Sequence, residues 1–166
     1  SSIKNLSEDN FVLTDKMPHN FLYLGLIASA FPDAKIIHVK RNPSATCWAN
    51  YKNLFASPKL GYSHNLNDIA DYYLMYKNLM EFWHMSFGDR IYQLDYDLLT
   101  TNQRGETKRL ISHLDLEWEQ ACLNPQDNMR IVQTTSNFQV RKKIYPGSSD
   151  KWKNFKPFLN NIFDGL

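Results

Sequence analysis

Glycine and cysteine are both scarce in this 166-residue chain, which holds six of the first and two of the second. The first glycine, Gly25, sits inside an apolar stretch that reads as helix. The front of the chain therefore has no glycine-rich loop able to cradle a phosphate through its backbone N–H groups. Cys47 and Cys122 show neither CxxC nor metal-ligand spacing. That excludes a disulfide scaffold and predicts reduced thiols in a cytoplasmic protein, with a single disulfide left open. No segment approaches 18 consecutive apolar residues, so no membrane span is expected. The first residues, SSIKNLSEDNF, lack the basic stretch and apolar run of a signal peptide. His38, His64, His84 and His113 are scattered, and no metal site is expected from them. No internal repeat and no low-complexity tract is visible.

What is present is the composition of a folded protein: 43% hydrophobic, 14% aromatic and 22% charged residues. Such a chain predicts one globular domain over residues 1–166 with a real core. The formal net charge of +2 is unevenly spread. From Arg130 to the end the balance is +5, and the preceding part carries −3. A local basic surface on a nearly neutral protein suits a discrete anionic ligand better than a long polyanion, although a solvated basic face reads the same way. Nucleic-acid binding is not expected, because the basic residues lack an interleaved aromatic motif.

Periodicity divides the chain into alternating strands and helices. Phe11-Val12-Leu13-Thr14 reads as a short buried strand, and Phe21 to Phe31 as a helix stopped by Pro32. Lys35 to Val39 is a second strand, followed by a polar loop and a helix that starts at Pro43. After Asn65, the residues Leu66, Ile69, Tyr73, Tyr76, Met80 and Trp83 recur at three- and four-residue steps. They share one helix face and read as core. Arg90 to Tyr96 is a third strand, Thr107 to Leu116 another helix, and 124–147 an irregular connection around Ile131-Val132. Ser148 is the expected N-cap of a last helix running to Phe163. This order predicts an α/β fold with a parallel sheet and ligands at the C-terminal strand ends.

Asp15-Lys16, Arg41 and Tyr96-Asp97 follow the three expected strands, so the topology would bring them to one edge. Arginine presents a planar fork to phosphate oxygens, lysine a point charge, and tyrosine a face for a purine. Singly, each is an ordinary surface residue; their shared position after strands is what points to a phosphorylated, base-bearing ligand.

In its motifs the chain resembles the sulfotransferase superfamily. The bacterial type often fused to tetratricopeptide repeats is nearest, and tyrosylprotein sulfotransferases are more distant. The resemblance rests on Thr14-Asp15-Lys16-Met17-Pro18, the Phe31 to Pro43 segment, Leu94-Asp95-Tyr96-Asp97-Leu98-Leu99, Thr134 to Arg141, and Ser148-Ser149-Asp150-Lys151-Trp152. It implies a P-loop-NTPase-like parallel sheet flanked by helices and incomplete at the N-terminus. The implied donor is 3′-phosphoadenosine 5′-phosphosulfate, with adenosine 3′,5′-bisphosphate as product and an acceptor hydroxyl or amine of unknown kind. Lys16 matches the catalytic lysine that steadies the leaving oxygen, and Arg41 the arginine that grips the 3′-phosphate. Tyr96 matches the adenine-facing tyrosine, Ser136 a serine near the nucleotide, and Lys151 a phosphate-contacting lysine, with Arg141 a further candidate.

Two positions depart from the family pattern. Ala49 stands eight residues after Arg41, where a phosphate-binding serine is usual, and no Gly-x-Pro-Arg-Ser-Gly-Thr-like loop is present. The chain is therefore expected to be the C-terminal two-thirds of such a domain or a degenerate copy. On its own it should be a poor catalyst. The alternative is a non-catalytic module that binds a nucleotide, a phosphate or a partner. An incomplete sheet would also leave an exposed edge that invites homo-oligomerisation. A P-loop kinase is disfavoured because Gly-x-x-x-x-Gly-Lys-Ser/Thr is absent.

Overall fold

The computed structural model describes residues 12–55, 58–128 and 140–166. A 3₁₀-helix, Pro18–Tyr23, leads into α1 (Leu24–Ala30). Strand β1 (Ile36–Lys40) follows, then α2 (Pro43–Tyr51) and a 3₁₀ segment, Pro58–His64. The long α3 (Leu66–Phe87) returns the chain to β2 (Ile91–Asp95). Two short helices come next, α4 (Tyr96–Thr101) and α5 (Gln103–His113). A 3₁₀-helix, Ser148–Phe158, lies near the end.

The two strands pair in parallel, with Ile36 opposite Ile91 and Lys40 opposite Asp95. A parallel pair needs a crossover, and α2 with α3 supplies it. This small parallel sheet flanked by helices agrees with an α/β fold of sulfotransferase type. The expected first strand does not form among the described residues. Val12 and Leu13 are 65% and 66% exposed and belong to no ladder. An apolar tetrapeptide becomes a strand only where a neighbour takes its backbone groups, and among the described residues none pairs with Val12–Thr14. Phe11 lies outside the described residues.

Helix α3 organises the core. Asn65 caps it, its side chain accepting from the amides of Asn67 and Asp68 at 2.8 and 3.3 Å. Ile69 and Tyr73 enter one apolar cluster with Ala45, Cys47, Trp152, Leu159 and Phe163. Trp83 and Phe87, about three to five turns later, pack against a second made of Leu24, Ala28, Ile36 and Ile91. The aromatic stripe expected to be core is core. The first cluster draws the C-terminal segment onto α2, where the rings of Trp48 and Phe155 stack at 4.5 Å. On the opposite side of the sheet, His113 of α5 lies over Tyr92 at 4.7 Å, while Ile37 and Val39 of β1 stay exposed.

The last segment differs from expectation in kind and in cap. Ser148 to Phe158 is a 3₁₀-helix, and Gly147, at φ +82°, occupies the N-cap position in place of Ser148. A left-handed residue there turns the chain sharply, a conformation glycine adopts without steric cost. The two serines that follow are consequently aimed back at the sheet.

Candidate functional site

The polar groups converge beyond the C-terminal ends of β1 and β2. Arg41 leaves the end of β1 half-buried. Its Nε–H donates to Ser149 Oγ at 2.8 Å, and a terminal N–H donates to Ser148 Oγ at 3.4 Å. Its guanidinium carbon lies 5.3 Å from the centre of the Tyr96 ring, within cation–π range. Strand β2 brings Tyr96 there by ending in a cap. Asp95 Oδ1 accepts from the amides of Asp97 and Leu98 at 2.8 and 2.9 Å, so Tyr96 is the first residue of α4 and not the last of a strand. Helix α2 starts in the same way, the Asn42 side chain accepting from Ala45 N at 2.9 Å with Pro43 at its first position. Asn42 N–H in turn donates to Asp97 Oδ2 at 2.9 Å, linking the two loops.

Beside these contacts lies an open cleft of about 190 Å³ lined by Asn42, Asp97, Thr100, Thr101, Gly147, Ser149 and Asp150. A larger cleft of about 550 Å³ sits at the other end of the strands, lined by residues that include Lys35, Asp89, Arg90 and His113. Volume alone would favour the second. Its cations are engaged, however: Lys35 pairs with Asp115 at 2.7 Å, and Arg90 donates to the carbonyl of Pro32 at 2.8 Å. Ligand sites in open parallel sheets gather at the C-terminal strand ends, which favours the Arg41 cleft.

The six residues singled out from sequence fall in different places. Arg41 and Tyr96 are in contact. Lys151 belongs to the same first turn as Ser148 and Ser149, with its Nζ 5.4 Å from the ring centre of Tyr145. Lys16 is exposed and makes no hydrogen bond or ion pair among the described residues; its neighbour Asp15 accepts from Asn20 Nδ2 at 2.7 Å. Arg141 is exposed and donates to the carbonyl of Asn128. Ser136 lies outside the described residues.

Sequence reasoning missed two sets of contacts. The first is the use of Ser148 and Ser149 as acceptors for Arg41, hidden because the partners are more than a hundred residues apart. The second joins histidines that read as scattered. His38 Nε2 and the Tyr76 hydroxyl are 2.5 Å apart, and His38 Nδ1 and His84 Nε2 are 3.4 Å apart. The chain ties β1 to α3. Burial pushes His38 down to about 4, and the neighbouring His84 and Lys40 act in the same direction. Tyr76 and His84 lie eight residues apart, on one helix face, and that spacing was the available signal.

Residues 2–120 match the sulfotransferase family, a span that holds Lys16, Arg41 and Tyr96 but not Ser136, Arg141 or Lys151. An uncharacterized protein of Aquifex aeolicus (strain VF5) is 36% identical over 166 residues, 99% of this chain and 22% of that relative. The chain thus spans about a fifth of that relative's length. No helix among the described residues is long and apolar enough to cross a membrane. With more than half of its length in the family match, the chain belongs to the sulfotransferase family.

Proposed function

We propose that the cleft beside Arg41 is the nucleotide end of a sulfuryl-transfer site whose donor is 3′-phosphoadenosine 5′-phosphosulfate. The observation that carries this reading is the meeting of Arg41, Tyr96, Ser148 and Ser149 beyond two parallel strands. The donor set fits the ligand. A guanidinium has five N–H donors, and two are engaged by serine hydroxyls, which leaves a fork for the 3′-phosphate. Tyr96 offers a ring to the adenine, and Lys151 a second cation from the same helical turn as the serines. Ser149 also brings a hydroxyl to the cleft, where Ala49 supplies none.

In the transfer, an acceptor hydroxyl or amine attacks sulfur in line, the bond to the nucleotide's 5′-phosphate oxygen breaks, and the acceptor loses a proton. Negative charge builds on the departing oxygen, so a cation held close to it lowers the barrier by electrostatic stabilisation. Lys16 has that role in this reading, with Ser136 and Arg141 as further contacts of the nucleotide. A second reading, a module that binds the nucleotide without turnover, is favoured by one observation: Lys16 stands exposed, with no hydrogen-bond or ion-pair partner among the described residues to orient it.

Calorimetric titration with adenosine 3′,5′-bisphosphate tests the site. Arg41→Ala should weaken binding at least tenfold, since a charged hydrogen bond contributes about 1.5–3 kcal/mol. Absence of binding by the folded chain, or binding indifferent to Arg41, refutes the reading. Transfer of labelled sulfuryl from the donor separates the catalytic from the binding-only version.

A further inference from the structure

Arg41 works only if its loop is held, and the structure shows what holds it. The backbone ladder ends with Lys40 opposite Asp95. The same register then continues for two residues through side chains. Arg41 lies over the ring of Tyr96, and Asn42 donates its amide to Asp97. Asn42 has non-helical dihedrals, φ −43° and ψ 126°, and precedes the first turn of α2. Its N–H therefore has no helical acceptor, and the Asp97 carboxylate takes it at 2.9 Å. Asp97 is itself rigidly placed. Its amide is capped by Asp95, and its carbonyl accepts from the hydroxyls of Thr100 and Thr101 at 2.9 and 3.1 Å.

We propose that Asp97 is the positioning residue for Arg41: by gripping Asn42 N–H, it fixes the loop that sets the guanidinium on Ser149 and over Tyr96. Its consequence for ligand affinity rests on the nucleotide reading given above; the tie itself does not. A carboxylate suits the task because a charge-assisted bond to a backbone N–H is shorter and stronger than a neutral one. Asp97 also lines the cleft, and the role assigned to it here acts through Asn42 and the loop that carries Arg41.

The test compares Asp97→Ala with Asp97→Asn, which keeps an oxygen acceptor of the same reach. The readouts are the Arg41 Nε–H resonance and the Asn42 amide exchange rate in the ¹H–¹⁵N spectrum. In Asp97→Ala both protons should exchange at least about tenfold faster, and the Arg41 signal should shift or broaden, as expected for loss of a charge-assisted bond. Asp97→Asn should restore most of the protection. Affinity for adenosine 3′,5′-bisphosphate should fall about three- to tenfold in the alanine variant and recover in the asparagine variant. Asp97→Ser, too short to reach Asn42, provides the same comparison should the alanine variant not fold. An unchanged Arg41 signal in Asp97→Ala overturns the proposal, even if Asn42 exchange rises. If the unaltered chain binds no nucleotide, the donor-site reading fails, while the two spectroscopic readouts still decide the role of Asp97.

Discussion

Acid should weaken this fold at one identifiable place, the link between β1 and α3. His38 sits half-buried between Tyr76 and His84 of α3, with the ring of Phe21 against Tyr76 and Gln93 opposite on β2. Burial is the largest cause of its low value, and His84 and Lys40 beside it push in the same direction. Its folded value, about 4, lies below the ordinary 6.5. Between those limits the unfolded chain holds a proton that the folded chain rejects, so stability contributed here is complete above pH 6.5 and falls as the pH drops toward 4. Each pH unit in that window costs up to about 1.4 kcal/mol, which caps the loss near 3 kcal/mol; solvent access to the ring reduces this to about 1–2 kcal/mol. The assay is urea unfolding followed by tryptophan fluorescence from pH 8 to pH 4.5, on the unaltered chain and on His38→Gln. Carboxylates titrate in both proteins and cancel in the comparison. The stability gap between the two should narrow by about 1–2 kcal/mol on acidification. A gap that stays constant with pH refutes the reasoning.

Two further outcomes follow from the site and the core. In a preparation that turns over donor, Lys16→Ala should lower kcat at least about a hundredfold with little change in nucleotide affinity, because a transition-state cation contributes to the barrier and not to ground-state binding; unaltered turnover removes Lys16 from the mechanism. Cys47 is buried, and burial pushes its thiol up to about 12, whereas Cys122 is half-buried. A disulfide-exchange reagent should therefore label one thiol in the native protein and the second only in denaturant, and two rapid labelling events would contradict the packing around α2.

What could be read directly from sequence was whatever one element encodes by itself. The step pattern of Ile69, Tyr73 and Met80 located α3 and its buried face, because helical period and core contact coincide there. The runs read as strands at 35–39 and 90–96 form parallel strands at 36–40 and 91–95. Failures arose where a second element decides the outcome. Val12 and Leu13 have the residue types of a strand but join no ladder among the described residues. Asp95 closes β2 by capping α4, and the reading of Tyr96 as strand overlooked that aspartate's preference for a helix start. Ser148 looked like a cap until Gly147 supplied the turn, which freed both hydroxyls for Arg41. The site was legible as a set of residue types at strand ends. Its wiring was not, since Arg41, Asp97 and Ser149 reveal their pairing only when three separate segments are folded together.

The reach of one contact sets a chronology for the molecule. Arg41 and its serine acceptors are separated by 107 and 108 residues. A ribosome releases the arginine long before the hydroxyls exist, so this meeting cannot form until the later segment has been made. The same arrangement makes Arg41 and the 148–158 segment interdependent: loss of that segment would remove both serine acceptors from the guanidinium and, with Trp152, part of the core packed on α2 and α3.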